Sequence, residues 1–377
     1  MMRSLLPFLL AGFAFAQSVP RSQLSHTTEG LRGVSAVSRR IAWASGTHGT
    51  YLRTLDGGMH WDSAQVPGAE ELDFRGVVAF SADEAFLMSA GPGEQSRIYH
   101  TSDGGGHWAL QFRNTNPKGF FDSMAFWDST HGIVLGDPIP DDAGKLRFEV
   151  LLTDDGQIWR PVPASQLPPA IEGEGAFAAS NSCIAILPAR AEKEPAARDP
   201  FKPEKTAKRE SIRVTGPLDP NIWFATGGPA ARVFHSGDRG LSWKVVETPI
   251  LHGPASAGIF SIAFRDALHG MIAGGDYQHP NQDGPNLAST SDSGKTWELS
   301  PLKPLAYFSA VAYDRNDRGV ERVFIVGSDF VFDFRPPNDP QRVSSPKKPG
   351  LKFNAVSAVP RGGALVVGPG GAIISLP

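Results

Sequence analysis

One octet, repeated along the chain, limits the folds open to this sequence more than any other feature. It reads small hydroxyl residue, any, Asp, any, Gly, any, any, Trp. It occurs as Thr54–Trp61, Thr101–Trp108, Ser236–Trp243 and Thr290–Trp297. A fifth, degenerate copy runs Leu152–Trp159, with Leu in the hydroxyl position and Asp154 in the Asp position. In such a stretch the carboxylate accepts bonds from backbone N–H groups of a turn. Gly takes backbone angles closed to other residues, and Trp packs its ring back under the hairpin. The octet is thus a hairpin turn made five times. Asp56, Asp103, Asp154, Asp238 and Asp292, with Trp61, Trp108, Trp159, Trp243 and Trp297, read as structural residues rather than catalytic ones.

Short alternating runs precede the turns. They are Gly33–Val37, Gly76–Phe80, Asp122–Phe126, Gly175–Ala179, Phe260–Phe264, Phe308–Tyr313 and Phe353–Ser357. Each is followed by a turn and a second strand, such as Ala85–Met88, Gly132–Leu135 or Gly270–Ala273. Four short strands with a turn signal in each unit describe one blade of a β-propeller. Seven such runs predict an all-β, single-domain propeller of seven four-stranded antiparallel blades over residues 17–377; six blades with looser ends is the alternative. The last unit has room for three strands only, so the segment around Val19–Thr28 is expected to supply its outer strand and close the ring. Successive octet tryptophans lie 47, 51, 84 and 54 residues apart. The long interval contains a Lys-, Arg-, Glu-, Ala- and Pro-rich insertion at about 189–210, read as a solvated loop. A second, Pro-rich insertion at about 335–350 replaces the octet of the sixth unit.

The N-terminus carries an address. Met1-Met2-Arg3 is short and positive, Leu5–Phe15 is largely apolar, and Ala14-Phe15-Ala16 is an A-x-A site. This is the pattern of a secretory signal peptide over residues 1–16, too short to serve as a stable membrane anchor. The chain is therefore expected outside the cytoplasm, periplasmic or secreted if bacterial, without a membrane span and as a monomer. The net charge of −3 does not point to nucleic acid as a partner, although it leaves a local basic patch open. A single cysteine, Cys183, rules out an intrachain disulfide; within Ser182–Ile186 it reads as a small buried strand residue.

Taken together, the octets resemble the Asp boxes of the BNR-repeat superfamily of propellers, which includes sialidases. Further segments, among them Pro67–Arg75, Gly91–Tyr99, Phe120–Asp122, Gly173–Ser180 and Gly274–Tyr277, are similar to bacterial relatives of the photosystem II stability and assembly factor family. The resemblance covers nearly all of residues 17–377. It implies a non-catalytic scaffold that holds a protein client, or a small ligand, at one face. A fold of this kind hosts unrelated tasks, so a two-carboxylate glycosidase with Asp122, Glu174 and Asp276 at the propeller mouth is the alternative. The sialidase F/Y-R-I-P motif is absent, since Phe74-Arg75 is followed by Gly-Val.

No dinucleotide loop or metal-ligand spacing is present, so no cofactor and no metal are expected. The pairs His131-Gly132 and His269-Gly270 occupy the same place in two units and read as turn elements. Polar residues in Gly-flanked loops outside the repeat are the candidates for binding. They are Arg75, Glu94, Arg97, Asp122, Glu174, Arg232, Asp276, Tyr277 and Asp329. The expectation is that some of them line one face.

Overall fold

The structure, a computed structural model, describes residues 20–187, 217–301, 306–315, 321–328, 330–334, 341–344, 352–360 and 362–377. The expected leader at 1–16 and insertion at 189–210 lie outside these residues, as does most of 335–350. Seven four-stranded antiparallel sheets form a ring. Blade 1 comprises Leu31–Ala36, Ala42–Gly46, Thr50–Thr54 and Asp62–Gln65. Blade 2 comprises Asp73–Ala79, Ala85–Ala90, Arg97–Thr101 and Ala109–Arg113. Blade 3 comprises Phe121–Phe126, Gly132–Pro140, Leu146–Thr153 and Arg160–Pro161. Blade 4 comprises Ile184–Ile186, Ile222–Ala225, Arg232–Ser236 and Lys244–Glu247. Blade 5 comprises Ala257–Phe264, Gly270–Asp276, Leu287–Thr290 and Glu298–Leu299. Blade 6 comprises Phe308–Arg315, Glu321–Gly327, Phe330–Phe334 and Gln341–Ser344. Blade 7 comprises Ala355–Ala358, Ala364–Gly368 and Ala372–Leu376, with Arg21–Gln23 as its outer strand.

The ring closes as expected, with Arg21 opposite Ser375 and Gln23 opposite Ile373. This closure hides the edge that blade 7 would otherwise present. The first strand of each blade packs on the first strands of both neighbours, so these seven strands surround the axis. Serines tie them together across blade boundaries. Ser35 Oγ accepts from Ala79 N at 3.0 Å, Ser357 Oγ from Ala36 N at 3.0 Å, and Ser261 Oγ from Val311 N at 2.9 Å.

Each boundary between consecutive blades has its own apolar core. Leu31, Leu52 and Trp61 of blade 1 pack with Leu365, Val367 and Ile373 of blade 7, and six similar clusters follow around the ring. The octet tryptophans serve these boundaries, which the hairpin reading did not anticipate. Trp61 joins the blade 7 contact, with its Nε1 donating to Gln23 Oε1 at 2.9 Å. Trp108 of blade 2 meets Trp43 and Tyr51 of blade 1 edge-on. Each ring faces the preceding blade because the outer turn overhangs it, and a flat ring fills that wedge.

Two further expectations need correction. Gly175–Ala179 was expected as the first strand of blade 4. Only Gly175 makes a bridge there, to Gly227, and the first strand is Ile184–Ile186. The alternation of small apolar residues at 175–179 mimics a strand, but its bonds go to other blades, as described below. In the degenerate octet the working carboxylate is Asp155, not Asp154. Thr153 Oγ1 donates to Asp155 Oδ1 at 3.1 Å, and Asp155 accepts from Gln157 N and Ile158 N, both at 2.8 Å. The turn is one residue shorter than the octet, so counting back from Trp159 misplaces its Asp by one.

The four full octets are alike. The hydroxyl of Thr54, Thr101, Ser236 or Thr290 donates to the Asp two residues on, at 2.7–3.0 Å. The same Asp accepts from the backbone N–H four residues further along. These bonds explain the low carboxyl pKa values. The His60 backbone and ring hold Asp56 down to about 2, and those of His107 do the same to Asp103. The pairs Asp128–His131 and Asp266–His269 are turn elements too, each Asp accepting the His backbone N–H at 2.8 Å.

Candidate functional site

Strand direction divides the candidates between two ends of the ring. Because the first two strands of a blade are antiparallel, the start of the first lies beside the end of the second. Asp73 thus faces Ala90, and Ala257 faces Asp276. The octet turns sit at the other end, bonded to the turns between first and second strands; Gly57 N donates to Arg40 O and Gly104 N to Asp83 O. We call the octet end the lower face and its opposite the upper face. Arg75 and Asp122 lie near first-strand starts, and Asp276 and Tyr277 at a second-strand end. Glu94, Arg97 and Arg232 lie at or just before third-strand starts, and Glu174 in the approach to blade 4. All eight therefore belong to the upper end of the blades. Asp329 lies outside the described residues.

A repeated irregularity aims several of these side chains. In five blades the register between first and second strands shifts by one residue near the upper start. The shifts skip Arg32, Arg75, Asp122, Phe260 and Ser309. Such a bulge redirects the side chain of the unpaired residue. The sequence reading found Arg75 and Asp122 but missed Arg32, Phe260 and Ser309. Each skipped residue stands between a large apolar residue and a small one, as in Leu31/Gly33, Phe74/Gly76, Phe121/Ser123, Ile259/Ser261 and Phe308/Ala310, and aligning the runs on that triplet finds all five.

Most of the candidates are already bonded within the chain. Glu174, buried, receives Arg232 Nε at 2.9 Å, a second guanidinium contact from Arg232 NH2, and Thr226 Oγ1 at 2.6 Å. This pairing is of the kind that spares a buried guanidinium its desolvation cost. Arg75 Nε donates to Asp73 at 2.8 Å, and its NH1 donates to Ala178 O at 3.1 Å. Arg97 donates to Glu94 O at 2.6 Å, and Glu94 pairs with Arg113 at 3.4 Å. Asp276, buried, accepts from Gln278 N at 2.9 Å and meets His279 Nδ1 at 2.8 Å. Burial would raise its pKa, but these bonds and one from Ser256 outweigh it and leave the carboxyl below the usual range.

Asp122 is different. It is 1% exposed, and its Oδ2 has no hydrogen-bond partner. Burial pushes its carboxyl well up, Asp137 adds to the rise, and Arg75 offsets it in part. Burial also pushes Asp137 up, to about 6, against the bond it accepts from Ala176 N at 3.0 Å. Both carboxyls lie at the upper end of blade 3, Asp122 next to Phe121 and Asp137 next to Gly136, two residues that pair with each other. Tyr277 stands at the other extreme, 51% exposed, with its ring edge-on to Phe260.

Of the three carboxylates of the glycosidase alternative, Glu174 is bonded to a guanidinium, Asp276 to its own turn, and Asp122 is buried. Among the described residues no three His, Cys, Asp or Glu are arranged to hold a metal ion. Among the same residues no helix is long and apolar enough to cross a membrane.

The comparisons agree with this architecture. A model of the family described as photosynthesis system II assembly factor YCF48 matches residues 17–119. The photosystem II assembly protein Ycf48 of Synechococcus sp. (strain JA-2-3B'a(2-13)) is 24% identical over 300 residues, 76% of this chain and 78% of that protein. The structure is similar to that of YCF48 bound to a D1 peptide, with a TM-score of 0.61 at 14% identity over 96% of each chain. It is also similar to a virginiamycin B lyase from Staphylococcus aureus, with a TM-score of 0.59 at 11% identity over 95% of this chain and 98% of that one. One fold thus carries an assembly factor and a lyase, and the structural likeness establishes the fold alone. The chain is a seven-bladed Asp-box β-propeller that resembles the photosystem II assembly factor family.

Proposed function

We propose that this chain is an exported, non-catalytic propeller scaffold that holds a protein client on its upper face. One observation carries the reading. The upper-face carboxylates Glu174 and Asp276 are engaged by the chain's own groups, whereas Tyr277 is exposed and Arg97 partly so. An exposed aromatic ring and a half-exposed guanidinium, the latter steadied by Glu94 O and the Tyr99 hydroxyl, suit recognition of a peptide segment. The similarity to Ycf48, and to YCF48 bound to a D1 peptide, supports a protein client in particular. Removal of residues 1–16 and function as a monomer belong to the same proposal, motivated by the A-x-A site at 14–16.

The test is a pull-down from the native envelope fraction with the mature chain as bait. An Arg97→Ala/Tyr277→Ala variant serves as the control. A client held by the wild type and lost by the folded variant is the expected result. A client retained equally by both would remove the upper face from the account. Mass measurement of the exported chain should give Gln17 as its first residue; an uncleaved N-terminus would contradict export by this route.

A further inference from the structure

Blade 4 begins unlike its neighbours. Residues 175–182, which lead into its short first strand Ile184–Ile186, reach four other blades. Asn181 Oδ1 accepts from Met124 N of blade 3 at 2.7 Å. The same atom lies 2.7 Å from where a Cβ on Gly76 of blade 2 would stand, so only a residue without a side chain fits there. Ala178 O accepts from Arg75 of blade 2. Ser182 Oγ is 2.7 Å from Ser261 Oγ of blade 5, and Ser182 O accepts from Ile262 N at 2.8 Å. Ser180 Oγ donates to Ser309 O of blade 6 at 2.9 Å.

Blades 2 and 3 flank blade 4 on one side, and blades 5 and 6 on the other. A segment bonded to all four must lie across the space their first strands enclose. Its composition suits a narrow place, since 175–182 is Gly, Ala, Phe, Ala, Ala, Ser, Asn, Ser. The one large side chain is an anchor. Phe177 stacks on Phe260 with centroids 3.8 Å apart and planes 11° from parallel. It lies over Gly227 and Gly258, where added Cβ atoms would come within 2.3 and 3.0 Å of its ring. Three of the residues that the strand bulges redirect, Arg75, Phe260 and Ser309, are among its contacts. Asn181 takes φ 58°, the left-handed region that Asn tolerates better than most residues.

We propose that Gly175–Ser182 is an axial plug that closes the centre of the ring. The propeller is then no tube. Its upper face has a floor, and a bound chain lies across that face rather than passing through the axis. Asp137 of blade 3 also holds the plug, accepting from Ala176 N at 3.0 Å.

Cys183, fully buried and one residue beyond the plug, is a built-in reporter. The experiment compares labelling of its thiol by a small disulfide reagent in the native mature protein and in Phe177→Ala/Asn181→Gly. The wild type should label only as fast as it unfolds globally. The variant should label at least about tenfold faster with its β-sheet circular dichroism intact, as expected when a local unit opens below the global transition. A folded variant that labels at the wild-type rate overturns the plug. Amide exchange in the wild type decides independently of whether that variant folds. Met124 and Ile262, whose acceptors lie in the plug, should exchange as slowly as strand-core amides. Exchange of both at the rate of an unstructured chain would mean an open axis and overturn the proposal. Neither readout involves a client, so failure here is separable from failure of the scaffold reading.

Discussion

The two faces of this ring are built on opposite principles. The lower face repeats one device, a hydroxyl, a carboxylate, a glycine and a tryptophan, in blade after blade. The upper face repeats only a backbone irregularity, the bulge near the start of the first strand. What stands at that bulge changes from Arg to Asp to Phe to Ser. Repetition below fixes a frame, and variation above individualises it. The bonds differ accordingly. Lower-face octet carboxylates are half-buried or exposed and accept bonds within their own turns. At the upper face Glu174 is buried and bonded to groups far along the chain, Thr226 and Arg232.

That contrast can be broken at the buried pair. Glu174→Ala leaves Arg232 desolvated without its partner and should cost about 3–5 kcal/mol, read as a fall in the urea midpoint. Arg232→Met added to it should recover much of the loss. A single-variant effect below about 1 kcal/mol would mean that the pair is no anchor.

The pH dependence sharpens the comparison, because Asp137 at the upper end of blade 3 and the octet carboxylates below titrate in opposite senses. Asp137 has its folded pKa raised to about 6 from 3.8, so the folded state binds the extra proton. Its contribution is present in full below about pH 4 and is lost as pH rises through about 6, to the extent of roughly 2–3 kcal/mol. Asp56, Asp103 and Asp292 have folded values held down to about 2. Their contribution is present above about pH 4 and is lost as pH falls toward 2. Stability from these groups should therefore peak near pH 4–5. Asp137→Asn should flatten the decline between pH 4 and 7 and leave the acid limb unchanged. Asp122, also raised, leaves a residual decline in the variant; a slope identical to that of the wild type would contradict the assignment.

The smallest effect tests the register of the degenerate turn. Asp155→Ala should cost about 1 kcal/mol, the scale of a lost turn acceptor, while Asp154→Ala should stay within about 0.5 kcal/mol. Equal effects would mean that the turn is shared between them.

Legibility in the sequence follows the same division. Seven blades, four strands in each and closure by the N-terminal strand were readable because each is repeated or forced by the repeat. Asp155 was not, because a one-residue deletion shifts the carboxylate while Trp159 keeps its place. The wedge role of the tryptophans depends on how neighbouring blades meet, which no single unit encodes. The plug was missed for a related reason. Small alternating residues at 175–179 satisfy a strand pattern as well as they satisfy a narrow axis, and only three-dimensional contacts separate the two. The candidate residues were picked from loops outside the repeat, and eight of the nine are placed by topology at the upper end. Local partners such as Asp73 for Arg75 and His279 for Asp276 stand close in sequence, whereas Thr226 and Arg232, 52 and 58 residues from Glu174, are brought to it only by the fold.

The most direct measurement of the scaffold reading is equilibrium binding of the captured client to the mature chain and to Arg97→Ala/Tyr277→Ala. The account predicts at least about tenfold weaker binding by the variant, or about 1.4 kcal/mol, with an unchanged unfolding midpoint. Equal affinity for the two proteins would contradict a client held on the upper face.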